Sequence, residues 1–234
     1  MLFFNKNKGP VVGLDISSSS VKAMEFSQTS NGYRVDHYGV EPLPSNAVTE
    51  KVISDVDAVG ESIRQVIKKS NTKAKNCCLA VAGSAVITKV ITMPASLSEE
   101  DLEGQIQLEA DQYIPYALEE VNLDFDILGA TEDNPETVDV LLAASRSENV
   151  DMRVAAAESA GLTPIVVDVE AYAIESVFPI LTETVEDRGR DKTVAILDIG
   201  ATMTSLSVLE DHKMVYTREQ PSVSYTHLTL PTKA

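Results

Sequence analysis

Basic side chains and cysteines are both scarce in this chain of 234 residues. It has 19 lysines and arginines against 36 aspartates and glutamates, which gives a formal net charge of −17. A nucleic-acid backbone demands a basic protein face, so this charge argues against a nucleic-acid partner, and it disfavours direct electrostatic binding to an anionic bilayer. The two cysteines, Cys77 and Cys78, are adjacent, and adjacent cysteines seldom form a disulfide. We expect them to pack within a buried strand.

A membrane-spanning segment and the common motifs of nucleophilic or zinc-dependent catalysis are also missing. No segment approaches the roughly 20 apolar residues that span a bilayer. The opening MLFF is followed by lysines rather than by the apolar core of a signal peptide. The sequence has no P-loop, no G-x-G-x-x-G, no zinc-ligand spacing and no G-x-S-x-G elbow. We therefore expect a cytoplasmic protein without direct membrane insertion and without a catalytic nucleophile.

What is present is a pattern of two related halves with an insertion in the first. Apolar runs and turns at residues 11–41 predict a three-stranded antiparallel meander, followed by a helix at 52–70 and a strand at 76–82. Residues 84–161 predict the order β-α-β-β-α, with Ser98 capping the first of these helices. A further strand, a short helix and a second meander follow. The predicted α/β fold has three parts, at residues 1–83, 84–161 and 162–220.

One strand–turn–strand motif occurs twice, as VVGLDISSSSVKAME (11–25) and as VAILDIGATMTSLSV (194–208). In each copy a strand ends in aspartate, Asp15 or Asp198, and a turn of small residues follows. Such turns offer converging backbone N–H groups and hydroxyls to phosphate, and an aspartate beside phosphate makes sense if Mg²⁺ lies between them. Two facing turns could therefore hold a polyphosphate from both sides. Alternatively, both are plain hairpins, and Lys22 could contact phosphate or simply be solvated.

Several stretches of the sequence resemble a known family. They are DISSSSVKAMEFS, LAVAGSAVITKVI, EADQYIPYALEEVNLDFDILG, VDVLLAAS, VVDVEAYAIE and LDIGATMTSLSVL followed by YTREQ. Together they resemble the PilM family of type IV pilus assembly proteins, from residue 11 to residue 220. That family belongs to the actin-like (ribonuclease H-like) superfamily and is related to FtsA, which also carries its extra subdomain in the first half. The resemblance implies an actin-like two-half fold with the insertion at 84–161.

The resemblance also implies a binding site for ATP and Mg²⁺. The first phosphate turn would comprise Asp15, Ser18, Ser19, Ser20 and Lys22. The second would comprise Asp198, Gly200, Ala201, Thr202 and Thr204. Asp15 and Asp198 would hold the metal through water, and no catalytic residue is assigned, so the protein would be at most a slow ATPase. Residue 17 is serine where the superfamily's D-x-G turn has glycine, and a positive φ there would cost about 1 kcal/mol.

The function implied by the resemblance is that of a scaffold. PilM-like proteins bind the cytoplasmic N-terminal segment of the inner-membrane protein PilN, in a groove between the first subdomain and the inserted one. They thereby join the other alignment and motor proteins of the pilus machine, peripheral to the inner membrane. Two alternatives stay open: an FtsA-like membrane-associated filament protein, and a sugar-kinase-like or exopolyphosphatase-like phosphotransferase. For the phosphotransferase, Asp168 and Glu170 are the candidate catalytic carboxylates.

The C-terminal residues do not continue this resemblance. Residues 223–232, VSYTHLTLPT, back-translate into the end of a common sequencing-library adapter, so we expect 221–234 to be a non-native tail. The second half would then be truncated, and we expect this chain to bind ATP poorly or not at all, whereas its full-length parent should bind. We also expect one exposed, aggregation-prone face on the second meander. That face would carry Val194, Ile196, Leu206 and Val208.

An acidic face is predicted on the first helix of the insertion. It consists of Glu99, Glu100, Asp101, Glu103 and Asp111. Such a run of charges is usually a solvated surface, but it could also attract a basic segment of a partner. The sequence alone leaves both interpretations open.

Overall fold

A computed structural model describes residues 9–30, 32–131, 133–182 and 186–221. The opening MLFF and, from residue 222 onward, the expected non-native tail lie outside these residues. The chain forms two compact units. One unit is Ala85–Asp151, and the other combines the residues up to Ser84 with those from Met152 onward.

The larger unit contains a five-stranded sheet. Its strands are β1 (Val11–Ile16), β2 (Ser20–Thr29), β3 (Gly32–Pro42), β6 (Asn76–Val81) and β10 (Thr163–Val169). The strand order is β10-β6-β1-β2-β3. Strands β1, β2 and β3 pair antiparallel, which confirms the first predicted meander, and β6 and β10 lie parallel on the other side of β1.

One face of this sheet forms the main hydrophobic core. Alternate residues of β1, namely Val12, Leu14 and Ile16, are buried there, as the period of two in a half-buried strand requires. Two helices supply the opposite side of this core: α1 (Val56–Ser70) and α3 (Ser147–Ser159). Cys77 is buried in β6 and Cys78 is partly buried, and both are free thiols, as expected. Burial raises the pKa of Cys77 to about 12, so its reactive thiolate form is suppressed.

Helix α1 begins later than the sequence pattern predicts. Val52 was expected within the helix, but Val52–Ile53 is strand β5, which pairs with β4 (Val48–Thr49) in a short hairpin. The helix starts only after Asp55, whose side chain accepts a hydrogen bond from Ala58 N at 2.9 Å and so caps the first turn. The turn of this hairpin contains Lys51, a residue of the candidate site.

The second meander is a separate three-stranded sheet in the same unit. It contains β11 (Thr193–Ile199), β12 (Met203–Glu210) and β13 (Lys213–Pro221), all antiparallel, and it follows helix α4 (Glu170–Leu181). This arrangement confirms the prediction of a second meander that repeats the first.

The prediction of which residues form the exposed apolar face of this second sheet is wrong. The β11–β12 register puts Leu197 opposite Leu206 and Ile196 opposite Ser207, so Ile196 and Leu206 lie on opposite faces. The face that carries Leu206 is the more exposed one, with Leu197 58% and Ile199 72% exposed. The prediction failed because the four chosen positions came from two strands whose relative register the sequence did not fix.

The smaller unit is built from the predicted order of elements. Strands β7 (Val86–Pro94), β8 (Val121–Thr131) and β9 (Asn134–Arg146) form an antiparallel sheet with β9 in the middle, and helix α2 (Glu99–Glu109) packs on it. Asp101 N donates to Ser98 Oγ at 3.2 Å, which confirms the predicted cap. Its core contains Ile91, Met93, Leu102, Ile106, Val140 and Leu142.

This unit is shorter than the predicted insertion of residues 84–161. It ends at Asp151, within α3, and the later α3 residues Ala156 and Ala157 are fully buried in the core of the larger unit. Among the described residues, no helix is long and apolar enough to cross a membrane.

Helix α1 packs closely on α3 at Gly60, which generates a first prediction. A Cβ added to Gly60 would lie 1.9 Å from Ser159 Oγ and 3.1 Å from the backbone O of Ala156. We expect Gly60→Ala to lower the free energy of unfolding by about 1–2 kcal/mol, because overpacking outweighs the better helix propensity of alanine. Urea unfolding measures this. Adding Ser159→Ala, which removes the nearest atom, should restore part of the loss, and Gly60→Ala alone being stabilising would contradict the packing described.

Candidate functional site

The first candidate turn joins β1 to β2 and is closed by the side chain of Ser17. Its Oγ donates to Ser20 O at 2.9 Å, and Ser17 N donates to the same carbonyl at 3.0 Å. Ser17 is not among the residues with positive φ. The serine that replaces the superfamily's glycine therefore causes no strain here, and its hydroxyl adds a hydrogen bond that glycine could not make.

The second candidate turn joins β11 to β12 and depends on Gly200. Gly200 N donates to Met203 O at 2.9 Å. A Cβ on residue 200 would lie only 2.7 Å from that same carbonyl oxygen, a distance that real Cβ atoms essentially never show. Glycine is thus required at this position by the tightness of the turn.

The structure brings the two turns together. The hydroxyls of Ser18 and Thr202 are hydrogen-bonded to each other, although the two residues are 184 positions apart in the sequence. Both belong to the predicted phosphate turns. Two hairpins with unrelated roles would have no reason to meet tip to tip, so this contact favours the interpretation of a single site over that of two plain hairpins.

Asp15 lies directly opposite Lys22 in the β1–β2 register, and Lys22 Nζ contacts Asp15 Oδ2 at 2.7 Å. Both side chains are about half exposed (55% and 53%), so the ion pair contributes little to stability. Its position shows instead that a cation is well placed beside Asp15. The described residues contain no group of three or more His, Cys, Asp or Glu that could hold a metal. A Mg²⁺ at Asp15 and Asp198 would take its other ligands from phosphate and water.

The other residues predicted for the two turns differ in their exposure and in the sheet face from which they project. Ser19 and Ala201 are exposed on their turns, and Ser20 is half-buried at the start of β2. Asp198 pairs with Ser205 across the β11–β12 ladder, whereas Thr204 pairs with Ile199 and so projects from the opposite face of the sheet. Thr204 is therefore the one predicted residue that the strand register separates from Asp198.

A cluster of charged residues, unnoticed in the sequence, lies next to the second turn. Lys51, in the β4–β5 turn, places Nζ 2.6 Å from Glu170 Oε2, 2.9 Å from Glu219 Oε1 and 3.3 Å from Ser205 Oγ. Ser205 is the cross-strand partner of both Asp198 and Glu219. Lys51 thus ties the β4–β5 turn and the first residue of α4 to the sheet that carries the second candidate turn.

The ion pairs in this cluster are largely shielded from solvent, with 14% of the Lys51 side chain and 8% of the Glu219 side chain exposed. Burial by itself would lower the pKa of Lys51, but its hydrogen bonds to Glu170 and Glu219 outweigh this and raise the pKa above its usual value. Burial would likewise raise the pKa of Glu219, yet hydrogen bonds from Ser84 and Lys51 hold it below the usual value. Lys51 and Glu219 are therefore both charged at neutral pH.

The backbone conformation around Lys51 explains why no sequence pattern marks this cluster. Glu50 and Lys51 both have positive φ, at 49° and 65°, although neither is a residue type that marks such turns. The buried Arg153 of α3 supports this conformation by donating from Nη2 to Lys51 O at 2.7 Å. The position of Lys51 is thus imposed by contacts that are distant in sequence.

The same contacts bear on the phosphotransferase alternative. Glu170 is ion-paired with Lys51, and Asp168 Oδ1 accepts a hydrogen bond from Val169 N at 2.7 Å. Neither carboxylate is thus presented as an unengaged general base. The geometry gives this alternative no specific support.

The family model described as type IV pilus assembly protein PilM matches residues 13–223. A chain of the PilM-PilN type IV pilus biogenesis complex is 28% identical, with a TM-score of 0.74, and the match covers 91% of this chain and 61% of that one. The cytoplasmic domain of EpsL, an inner-membrane component of the Vibrio cholerae type II secretion system, shares the fold at 12% identity, with a TM-score of 0.53 and coverage of 91% and 71%. The predicted actin-like fold is confirmed.

The Lys51 cluster generates a stability prediction with a matched control. Lys51→Met leaves two carboxylates partly buried without their cation, so we expect the free energy of unfolding to fall by about 3 kcal/mol at pH 7. Lys22→Met, which breaks an exposed pair, should cost less than about 1 kcal/mol. Urea unfolding of both variants gives the comparison.

The loss in Lys51→Met should also depend on pH. Because the pKa of Glu219 is lowered in the folded protein, its contribution is present at neutral pH and is lost as the pH falls through that lowered value. The difference from wild type should therefore shrink below about pH 4, where carboxylates become protonated. A loss of stability equal to that of Lys22→Met, or one independent of pH, would show that the Lys51 ion pairs do not stabilise the contact between the β4–β5 turn and the second sheet.

Proposed function

Because the chain belongs to the family of type IV pilus assembly proteins PilM, we propose that it is a cytoplasmic, actin-like, ATP-binding scaffold of type IV pilus assembly. The scaffold binds the cytoplasmic N-terminal segment of the inner-membrane protein PilN and is held at the membrane through it. The chain spans 61% of the length of its PilM-PilN relative, so the activity and the partner of the whole protein are proposals.

The contact between the two turns is the observation that supports the proposed nucleotide binding. Ser18 and Thr202 bring together two strand–turn–strand motifs, each headed by an aspartate. Hydroxyls and backbone N–H groups at the two tips suit phosphate oxygens, which the acceptor-only carboxylates would otherwise repel. These residues fit a Mg²⁺-bound triphosphate held from both sides. Bound Mg²⁺ would neutralise phosphate charge beside Asp15 and Asp198.

The role of the protein's own residues is mainly one of positioning. Lys22 is within reach of Asp15 and can move between that carboxylate and a phosphate oxygen, because it is half exposed and flexible. Lys51 holds the sheet of the second turn through Ser205 and Glu219, which lie on the same face as Asp198. We propose that the protein is a scaffold with at most slow ATP hydrolysis.

The partner part of the proposal is supported by the structural likeness. The matched chain comes from a complex of PilM with PilN, and the likeness extends over 91% of this chain at a TM-score of 0.74. At 28% identity the likeness covers sequence as well as fold. A protein with this architecture is therefore expected to accept an equivalent PilN segment.

Substitution of Gly200 tests the nucleotide site. In the full-length parent we expect Gly200→Ala to lower Mg²⁺-dependent ATP affinity at least tenfold, because the added methyl collides with Met203 O and opens the turn. Gly104→Ala is the matched control, since a Cβ there has no neighbour within 4 Å. Isothermal titration calorimetry measures both affinities. If ATP binds Gly200→Ala as tightly as wild type, the second turn does not hold the nucleotide.

A labelled peptide from the cytoplasmic N-terminal end of PilN tests the partner. We expect saturable binding to the full-length parent by fluorescence anisotropy, and none to a peptide of the same composition in scrambled order. The titration is repeated with and without Mg²⁺ and ATP, so that a failure of nucleotide binding can be told apart from a failure of partner binding. Absence of binding in both nucleotide states would refute the scaffold role.

A further inference from the structure

The negative charge of the chain is concentrated in the smaller unit. Residues 85–151 contain sixteen acidic and two basic side chains, a net charge of −14 out of −17 for the whole chain. The rest of the protein is therefore nearly neutral. A field of one sign on one compact unit raises the local concentration of oppositely charged ligands and speeds their association.

A groove on this unit combines that charge with an apolar floor. It has a volume of about 910 Å³ and runs between helix α2 and the first half of strand β8. Five of its twelve lining residues are acidic, and none is basic. The acidic residues are Glu99, Glu100, Glu103, Glu119 and Asp124. The apolar lining consists of Ile106, Leu118, Val121, Leu123 and Phe125.

The cations of this unit do not neutralise the groove. Lys89 lies over the ring of Tyr113 at 4.7 Å, and Arg146 lies over the ring of Tyr116 at 4.2 Å. Within the described part of the chain, none of the groove's five carboxylates forms an ion pair. Three residues of the acidic face predicted on this helix, Glu99, Glu100 and Glu103, thus border a cleft whose carboxylates have no cationic partner among the described residues.

Strand β8 provides this groove with a backbone edge that can pair with another chain. The sheet order β7-β9-β8 makes β8 an edge strand among the described residues, paired with β9 on one side only. Alternate backbone N–H and C=O groups of such a strand point outward and can pair with an extended chain. The groove lies along this strand from Val121 to Phe125.

We propose that this groove binds an extended, Lys- and Arg-bearing segment of another protein, whose apolar side chains rest on the floor between Ile106 and Phe125. The acidic rim recognises the cations, and the outer edge of β8 aligns the segment. This inference goes beyond the proposed nucleotide and PilN binding and depends on neither. Nucleic acid is repelled by the charge of the unit, and a second copy of the same unit would bring an equal charge of the same sign against it.

A short synthetic peptide in which arginine and leucine alternate is the probe, and its counterpart with glutamate in place of arginine is the control. The groove variant is Glu103→Lys with Glu119→Lys. The matched variant is Glu136→Lys with Asp151→Lys, which changes the charge equally at exposed positions outside the groove. Circular dichroism confirms that both variants remain folded.

At 150 mM salt we expect the groove variant to lose at least tenfold in peptide affinity by fluorescence anisotropy, and the matched variant less than twofold. Equal losses in both variants would show diffuse charge attraction and overturn the proposal. Hydrogen exchange should slow at Val121–Phe125 when the peptide binds, and unchanged exchange there would also overturn it. A marked gain in affinity on deletion of residues 1–8, which include Lys6 and Lys8, would instead identify the chain's own N-terminal segment as the occupant.

Discussion

One shielded ammonium group, that of Lys51, links the β4–β5 turn to the sheet that carries the second candidate turn. The hydrogen bond between Ser18 and Thr202 is exposed, and a bond of this kind contributes only about 1 kcal/mol. The ion pairs of Lys51 with Glu170 and Glu219 are mostly excluded from water, so their removal costs more. Since Glu219 is cross-strand from Ser205, and Ser205 from Asp198, this lysine fixes the sheet from which the second aspartate projects.

The two turns share one backbone hydrogen bond, from Ser17 N to Ser20 O and from Gly200 N to Met203 O, but they accommodate it by different chemistry. In the first, the hydroxyl of Ser17 caps the turn by donating to Ser20 O, with no strained backbone. In the second, Gly200 leaves room for Met203 O, where a side chain would collide. The repetition is therefore one of architecture rather than of residues. We expect position 200 to tolerate substitution less well than position 17, because a side chain at residue 200 would collide with Met203 O.

The sequence pattern predicted correctly those features that depend on a single helix, strand or turn. The strand periods, the cap at Ser98 and both meanders were predicted, because period and capping are properties of a few neighbouring residues. Two details that depend on the register between strands were predicted wrongly. Val52 was assigned to a helix although it pairs with Thr49, and Leu206 was assigned to the same face as Ile196 although the β11–β12 register separates them.

The sequence by itself determined that two aspartate-headed turns exist, and it named the residues at their tips. Only the tertiary structure decided that these tips meet, that Thr204 projects from the sheet face opposite to that of Asp198, and that Lys51 contacts Ser205. The physical reason is that a turn is fixed by the hydrogen bonds and φ angles of four or five adjacent residues. The meeting of two turns 184 positions apart is fixed by core packing and by ion pairs that join distant parts of the chain.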